Sequence, residues 1–409
     1  MLARWLLVSV LVGIGGGAAS AIFLHALHWA TDYREDNVWI ILFLPLAGLL
    51  IGWGYYKYGK SVVRGNNQII EEYQEPKKII PFRMAPMVLL GTIITHLFGG
   101  SAGREGTAIQ MGAAIADRFT KWLKMSNVDR RLLLMMGTSA GFASVFGTPW
   151  AATIFAFEVL RLDSFRWKRL IPIMIAAFVG DWTCMALQVH HTMYDMYIVS
   201  TPVFTMQNIF WAALAGVIFG FGAFTFSQSN HLFGSLFGNY FRYSPLRPVV
   251  GGAVLAVVVF AIGTTKYIGL GIPIIEEAFQ NKLPAYDFLV KTLFTAFTLG
   301  AGFKGGEVTP LFFVGATLGN ALAYFVPLPL ALLAGMGFVA VFAGATNTPL
   351  ACTVMGLELF GLTGGIYIII ACVFAYIFSG PKGIYIAQPK QYFKVPYDDI
   401  FKKMYKQSS

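Results

Sequence analysis

The sequence predicts an all-α polytopic membrane protein made of two repeats, whose broken helices meet at an anion site near the membrane midplane. Three observations support this fold class: the composition, an internal repeat, and two glycine-rich breaks that carry carboxylates. Of the 409 residues, 56% are hydrophobic and only 12% are charged, whereas soluble domains carry about 25% charged residues. The composition therefore excludes an ordinary soluble domain.

The chain has a formal net charge of +10, and its Lys and Arg residues are concentrated in a few loops. Basic loops set the orientation of membrane proteins by staying in the cytoplasm, and they are attracted to anionic membrane surfaces. We interpret the charge as a topology signal and predict no nucleic-acid partner. The polar segment 55–83 and the short basic tail 386–409 are both predicted to be cytoplasmic.

Apolar segments that suit membrane helices begin at the N-terminus. Residues 5–30 are predicted to form a retained first membrane helix and residues 39–53 a second, with a charged loop around Arg34 and Glu35 between them. Several later apolar segments are too short to span and are interrupted by glycine or proline. Irregular backbone at membrane depth is tolerated only where protein or a water-filled cavity covers it. These segments are therefore expected to lie inside the protein.

The chain also contains an internal repeat. A Thr-Pro pair and a glutamate recur 200 residues later at the same spacing, as Thr148, Pro149 and Glu158 and then Thr348, Pro349 and Glu358. Paired broken segments in two halves are typical of transporters whose site lies at the repeat interface. We predict one transmembrane transport domain over residues 1–409, with approximate repeat halves 38–190 and 206–385.

Several ionisable residues are better explained by structure than by transport. Glu158 and Glu358 end apolar segments at equivalent positions, so a matched structural role is expected, such as pairing with the loop cation Arg161. His96 lies on an apolar segment near the first break. It is predicted to be a core histidine whose ring nitrogens have partners.

The first glycine-rich break, residues 99–112, places Arg104 and Glu105 between two apolar runs. A charge at membrane depth costs roughly 2.5–3.5 kcal/mol on insertion scales, so these residues need a reason to be there. A helix that begins at Gly106 or Thr107 directs unpaired N–H groups at the break, which is the outline of an anion site. Glu105 is the candidate functional carboxylate. Arg104 is expected to be tied to backbone carbonyls or to a nearby acid.

A second glycine-rich break precedes another apolar helix and carries Glu307. Pro310 suits the first turn of that helix, where its missing N–H is no loss. The amides around Val308 and Thr309 are then free to bind an anion. Glu307 either takes part in anion or proton handling or forms a salt bridge with Lys304.

These segments resemble the CLC family of anion channels and anion/proton antiporters, over essentially the whole membrane domain. Residues 103–107 resemble the family's Gly-Arg-Glu-Gly-Pro motif, residues 306–310 its Gly-x-Phe-x-Pro motif, and residues 378–385 the segment with its central tyrosine. The resemblance implies two inverted-topology repeats and a homodimer with one pathway in each subunit.

The resemblance also implies roles for single residues. Glu105 corresponds to the gating glutamate, which occupies an anion position when ionised and leaves it when protonated. Tyr385 is implied to donate its hydroxyl to the central anion, and Asn66 stands where a serine of the family binds the anion. The candidate anion-binding residues are Asn66, Gly106, Thr107, Val308, Thr309 and Tyr385.

The chain departs from the family's motifs at four positions. Asn66 replaces serine, Thr107 replaces proline and Val308 replaces phenylalanine. Val159 stands where chloride/proton antiporters of the family hold an internal proton-transfer glutamate. Taken with the second motif, these departures resemble the family's fluoride-exporting branch, which exchanges fluoride for protons.

The residues suit that chemistry. Fluoride is small and strongly hydrated, so its site must replace water with several hydrogen-bond donors, and donors to a charged acceptor form strong bonds. Asn66, Thr309, Tyr385 and helix N-terminal amides supply such donors. A carboxylate in the same pore, that of Glu105, competes with the anion, which couples its protonation to anion occupancy.

The predicted function is export of fluoride in exchange for protons, by a multi-pass protein of the cell membrane without a cofactor or metal. A chloride/proton exchanger or a passive anion channel of the same fold is the alternative, and proton coupling separates the two. An intramembrane enzyme using Glu105 and His96 is disfavoured. The membrane segments contain no second spaced carboxylate pair, metal-like His cluster or nucleophile with a base at motif spacing.

Overall fold

The computed structural model describes residues 2–160, 167–192, 202–389, 391 and 393–397. Arg161 and most of the predicted basic tail lie outside this set. The described residues form 16 α-helices, and a 3₁₀ helix, Val38–Phe43, joins the first two. The helices are α1 Leu2–Asp36, α2 Leu44–Tyr58, α3 Asn66–Gln74, α4 Met84–Leu97, α5 Glu105–Trp122, α6 Asn127–Phe146, α7 Pro149–Leu160, α8 Trp167–Ala186, α9 Met206–Tyr240, α10 Leu246–Ile262, α11 Ile272–Gln280, α12 Asp287–Gly300, α13 Val308–Leu322, α14 Leu330–Thr346, α15 Pro349–Phe360 and α16 Gly365–Phe378.

Four stretches of the described chain are long and apolar enough to cross a membrane, and they are Arg4–Asp36, Val38–Tyr58, Arg169–Ala186 and Met206–Tyr240. Most of the other helices are short and apolar, which is the predicted pattern of broken segments. The first predicted membrane helix is confirmed, but α1 continues beyond residue 30. Arg34 and Glu35 therefore lie in its last turn rather than in a loop. The buried Arg34 fits there because Nη1 donates to the carbonyl oxygen of His96 at 3.0 Å and Nη2 to Glu35 at 3.1 Å.

The two halves of the chain contain the same series of helices. α1 and α9 each have 35 residues, α3 and α11 each have 9, and α7 and α15 each have 12. α5 and α13 both begin directly after the glycine-rich breaks. The internal repeat thus extends from single residues to the order and length of the helices.

Helices α7 and α15 run antiparallel, as an inverted repeat requires. Glu158, near the end of α7, accepts hydrogen bonds from the N–H groups of Leu350 and Ala351 at the start of α15, at 3.0 and 2.7 Å. Glu358, near the end of α15, accepts the first N–H groups of α7 at 3.1 and 2.7 Å. Each carboxylate thus caps the positive end of the other helix. The matched structural role predicted for these glutamates is confirmed, and their described partners are helix N-termini.

The two sides of the protein are distinguished by contacts of the C-terminal segment. Oδ1 of Asn67 accepts a hydrogen bond from the N–H of Ala387 at 2.9 Å, and Nε2 of Gln74 donates to the carbonyl oxygen of Ala387 at 3.2 Å. The polar segment 59–83 and the chain after α16 therefore lie on one side, which we call the tail side. The opposite side is called the far side.

Glycines position the two helices that begin at the breaks. Gly112 of α5 packs against Gly137 of α6, and Gly315 of α13 packs against Gly337 of α14. A Cβ at any of these four positions would overlap the carbonyl oxygen of the facing glycine. Small residues of this kind let membrane helices approach closely. α5 and α13 are therefore held tightly along their lengths, and their N-termini are fixed in place.

Candidate functional site

The two glycine-rich breaks meet in a short antiparallel backbone bridge. The N–H of Gly103 donates to the carbonyl oxygen of Gly306 at 2.6 Å, and the N–H of Gly306 donates to that of Gly103 at 2.7 Å. Just before the bridge, Gly99 and Gly302 have φ values of +90° and +99°, which glycine adopts without steric cost. Each preceding helix can therefore end and turn toward the bridge, so that α5 and α13 start beside the same point.

Each break is also attached to the helix that precedes the other one. The N–H of Ser101 donates to the hydroxyl of Thr298 on α12, and the N–H of Lys304 donates to the hydroxyl of Thr95 on α4, both at 3.2 Å. The ring nitrogens of the buried His96 lie 3.0 Å from two carbonyl oxygens. His96 is thus a core histidine with partners, as predicted, and it helps to support the first break.

The carboxylate of Glu105 lies at the N-terminus of α13 and is fully buried. Its Oε2 accepts hydrogen bonds from the N–H of Thr309 at 3.0 Å and the N–H of Arg104 at 3.1 Å. Its Oε1 accepts a hydrogen bond from the Thr309 hydroxyl at 2.6 Å and lies 3.5 Å from Nε of Arg104. Arg104 is thus next to an acid, as predicted. Backbone N–H groups at a helix N-terminus form an anion-binding position, and here the carboxylate occupies it.

Asn66 and Tyr385 line a second, very small space. Together with Thr138 of α6 they surround a cavity of about 10 Å³, whose remaining walls are apolar and include Val159. Oδ1 of Asn66 and Oγ1 of Thr138 are buried and have no hydrogen-bond partner among the described residues, and the buried hydroxyl of Tyr385 has only the Asn66 side chain as a polar neighbour in this cavity besides Thr138. Buried polar groups normally have partners. These groups around one cavity therefore indicate a position for a small polar guest such as a water molecule. A small anion there would be bound by the two hydroxyls, because the amide oxygen of Asn66 can only accept a hydrogen bond.

Thr107 is not brought to this site. Its hydroxyl lies 2.7 Å from that of Thr92, which itself donates to a carbonyl oxygen of α4, so Thr107 is the donor in this pair. Its N–H donates to the carbonyl oxygen of Arg104 at 3.2 Å. Both donors of Thr107 therefore have protein partners.

Gly106 and Val308 lie beside the bridge. A Cβ at Gly106 would lie 3.0 Å from Nδ2 of Asn66 and 3.9 Å from Oε2 of Glu307. The missing side chain at Gly106 thus lets the Asn66 amide and the Glu307 carboxylate come close to the start of α5. Val308 is fully buried in the first turn of α13, where it presents only its backbone as a polar group.

Two spaces approach the site from opposite sides. A cavity of about 20 Å³ is lined by Arg104, Glu105 and Thr309 on the far side, which is large enough for a single water molecule. On the tail side, a vestibule of about 740 Å³ is lined by Glu307 and Tyr385. The two candidate carboxylates therefore face different spaces, with the backbone bridge between them.

The environment of Glu307 does not fit the predicted salt bridge with Lys304. Its polar neighbour in the vestibule is Asn230 of α9. Within the described residues it forms no ion pair with Lys304, whose ammonium lies 4.3 Å from the ring centroid of Tyr55. The salt bridge is therefore not formed, because the side chains of Glu307 and Lys304 leave the break toward different spaces.

These features define a class of protein: a helical membrane protein of two inverted halves, with a buried carboxylate where two helix N-termini meet. The family follows from the sequence. Residues 47–380 match the profile of the family described as "Voltage gated chloride channel", and the chain belongs to this family, the CLC family.

Individual relatives agree with this assignment. The "Chloride/fluoride channel protein" of Pseudomonas syringae pv. tomato is 50% identical over 393 residues, which is 95% of this chain and 86% of that protein. A crystal structure of a CLC-type fluoride/proton antiporter matches with a TM-score of 0.90 at 35% identity, over 95% of this chain and 98% of that one. A slow cyanobacterial Cl⁻/H⁺ antiporter matches with a TM-score of 0.80 at 18% identity, over 99% of each chain, which shows the fold alone. The predicted fold class is confirmed.

Gly103→Ala is expected to displace the Glu105 carboxylate, because the added Cβ would lie 3.0 Å from both Oε2 of Glu105 and the nitrogen of Thr309. Overpacking of this kind costs about 1–3 kcal/mol, so the variant should also unfold at a lower temperature. Cryo-electron microscopy and thermal unfolding in detergent measure the two effects.

The control is Gly54→Ala on α2, where an added Cβ meets nothing within 4 Å. A Gly103→Ala structure in which Glu105 keeps both hydrogen bonds to Thr309 would contradict the tight fit described here.

Proposed function

We propose that this protein exports fluoride across the cell membrane in exchange for protons. The observation that carries the proposal is the position of the Glu105 carboxylate, which uses the N–H and hydroxyl of Thr309 as an anion would. The Pseudomonas syringae relative is named for chloride and fluoride, and the matching crystal structure is of a fluoride/proton antiporter. Both names support fluoride as the anion, and the second supports protons as the exchanged ion. The family is one of channels and transporters, and we propose no enzymatic activity.

In this mechanism, Glu105 and fluoride compete for the same donors. A proton that arrives through the far-side cavity neutralises the carboxylate, and a neutral acid accepts hydrogen bonds more weakly than a carboxylate does. Fluoride from the tail-side vestibule then takes the vacated donors. Loss of the proton toward the tail side restores the carboxylate, which displaces fluoride toward the far side.

The proposed fluoride ligands are five of the candidates: Asn66, Gly106, Val308, Thr309 and Tyr385. Thr138 joins them, because its hydroxyl shares the small cavity with Asn66 and Tyr385. A cavity of about 10 Å³ is close to the size of one water molecule. Fluoride is similar in size to water and chloride is larger, so such a cavity favours fluoride.

The proposed orientation places the tail side in the cytoplasm. The polar segment 59–83 and the C-terminal segment lie together on that side, and both are rich in Lys residues, as cytoplasmic segments usually are. We also propose one transport domain whose halves are α1–α8 and α9–α16. The equal lengths of α1 and α9 support a first half that includes α1.

Flux from liposomes tests the proposed exchange. Protein reconstituted in vesicles loaded with fluoride should release fluoride while the internal pH falls, because each exported anion brings protons in. Chloride efflux should be much slower. Glu105→Gln should abolish the fluoride-driven proton uptake, since an amide cannot carry the proton. Glu277→Gln, at an exposed position of α11, is the control.

Fluoride or chloride efflux without proton movement in the wild type would support the alternative, a passive channel. Rapid chloride-driven proton uptake would support a chloride/proton exchanger. If Glu105→Gln still drove fluoride uphill with a proton gradient, the role of Glu105 would be wrong.

Glu307 is proposed to pass protons between Glu105 and the tail side. Glu307→Gln should therefore slow proton uptake and fluoride exchange together. The affinity for fluoride should change little, because Glu307 does not donate a hydrogen bond to the position that the Glu105 carboxylate occupies. Calorimetric titration with fluoride and the liposome assay separate these quantities. Exchange at the wild-type rate in Glu307→Gln would refute this role.

The protein is proposed to be a homodimer with one pathway in each subunit, as the family resemblance implies. The antiparallel pair α7 and α15 offers exposed apolar side chains for such a contact, including Trp150 and Leu350, which are 53% and 65% exposed. Counting of fluorescently labelled subunits in bilayers should give two per particle. A count of one would exclude the dimer.

A further inference from the structure

A second polar cavity lies apart from the site described above. It has a volume of about 400 Å³ and is found where α2 ends and α10 begins. We call it the basic pocket. The polar side chains that line it are Tyr55, Tyr56, Lys60, Ser244, Arg247 and Lys304. Three of these are cations, and no Asp or Glu is among the lining residues.

The cations of the basic pocket lack carboxylate partners, unlike some other basic residues of the described chain. Arg130 pairs with Asp117 at 2.8 Å, and Lys266 pairs with Asp287 at 2.5 Å. In contrast, no carboxylate of the described chain lies within 4 Å of Lys60, Arg247 or Lys304. Three unneutralised cations around one cavity create a positive potential that attracts an anion.

The three cations are held toward the pocket by their surroundings. The ammonium groups of Lys60 and Lys304 lie 5.0 and 4.3 Å from the ring centroids of Tyr56 and Tyr55. The stem of Lys304 passes Gly91, where a Cβ would lie only 2.9 Å from it. Nε of Arg247 donates to a carbonyl oxygen at the end of α9 at 2.9 Å, which orients its guanidinium group.

The pocket lies at the level where membrane lipids carry their headgroups. Two of the membrane-spanning stretches, Val38–Tyr58 and Met206–Tyr240, end beside it. The ring centroids of Tyr56 and Tyr243 lie 5.3 Å apart, and the two residues are 44% and 47% exposed, as is typical of the aromatic belt at a membrane surface. Next to the pocket, Leu49 lies seven residues before Tyr56 on α2 and Val254 lies seven residues after Arg247 on α10. Both are 43% exposed and offer apolar surface for acyl chains.

We propose that the basic pocket binds the phosphate group of an anionic phospholipid. Lys60, Arg247 and Lys304 supply the positive charge, Ser244 and the tyrosine hydroxyls supply neutral donors, and the exposed Leu49 and Val254 contact the acyl chains. Basic pockets between membrane helices on the cytoplasmic side are suited to such headgroups. The pocket is distinct from the proposed ion path, because its lining shares no residue with the tail-side vestibule.

Lys304 connects the basic pocket to the backbone bridge at the centre of the protein. The N–H of Lys304 donates to Thr95, and two residues later Gly306 forms the backbone bridge with Gly103. A lipid phosphate on the Lys304 ammonium therefore holds the break that carries Glu307. This consequence rests on the proposed function, whereas lipid binding itself does not.

Native mass spectrometry of the purified, delipidated protein tests the binding. Phosphatidylglycerol and phosphatidylcholine with identical acyl chains are the probes. Phosphatidylglycerol should be retained preferentially, and Lys60→Gln with Lys304→Gln should lower its retention by about tenfold or more, given about fivefold for each basic residue. Lys57→Gln is the matched control. Lys57 lies at the same helix end but stacks on Trp53 at 4.9 Å, outside the pocket.

Equal retention of the two lipids would overturn the proposal. So would equal losses in Lys57→Gln and in the double variant, because that result indicates general surface attraction. Inorganic phosphate in excess should leave the bound phosphatidylglycerol in place, and displacement by phosphate alone would overturn the assignment to lipid. Lys60→Gln alone, at an exposed position, keeps the test decisive if the double variant is unstable. Because this readout is not transport, it stands or falls independently of fluoride exchange.

Discussion

The backbone bridge between Gly103 and Gly306 is the contact on which the rest of the site depends. It brings two helix N-termini together inside a membrane protein, and each N-terminus carries roughly half a positive charge. In a low-dielectric interior such charges interact strongly. An anion near the bridge is therefore favourable, and the Glu105 carboxylate supplies it by reaching from the start of α5 to Thr309 on α13. The same physics lets a free anion take that position when the carboxylate is neutral.

The inverted repeat explains why the site has two different faces. Gly103 and Gly306 are equivalent positions, and so are the residues that follow them. Arg104 lines the far-side cavity, whereas its equivalent Glu307 lines the tail-side vestibule. The next pair, Glu105 and Val308, breaks the symmetry, because only the first half has a carboxylate there. A single carboxylate, that of Glu105, therefore serves both helix N-termini. It can bind the hydrogen-bond donors of Thr309 or release them to another anion.

The sequence alone was sufficient for those parts of the fold that depend on signals along the chain. Charged residues in glycine-rich breaks pointed to Glu105 and Glu307, and a Thr-Pro pair and a glutamate that recur 200 residues later revealed the repeat. Features that depend on which helix faces meet could not be predicted. Thr138 is an ordinary threonine in a buried helix until the fold places it beside Asn66 and Tyr385. For the same reason Thr107, a motif residue, bonds to Thr92 on a neighbouring helix.

The geometry also limits what can move during exchange. The hydrogen bonds that hold the two breaks include four donated by their own backbone N–H groups: two within the bridge, and one from each break to the helix that precedes the other. A motion that separates α5 from α13 would break the two bridge bonds inside the membrane, where unsatisfied backbone groups cost several kcal/mol each. Rotation of the Glu105 side chain breaks none of these four bonds. It does break the two bonds from Thr309 and the bond from the N–H of Arg104, and a fluoride ion in the same position can accept these bonds instead. The moving part of the proposed cycle is therefore a single side chain, and the rest of the site serves to keep its alternative partners in place.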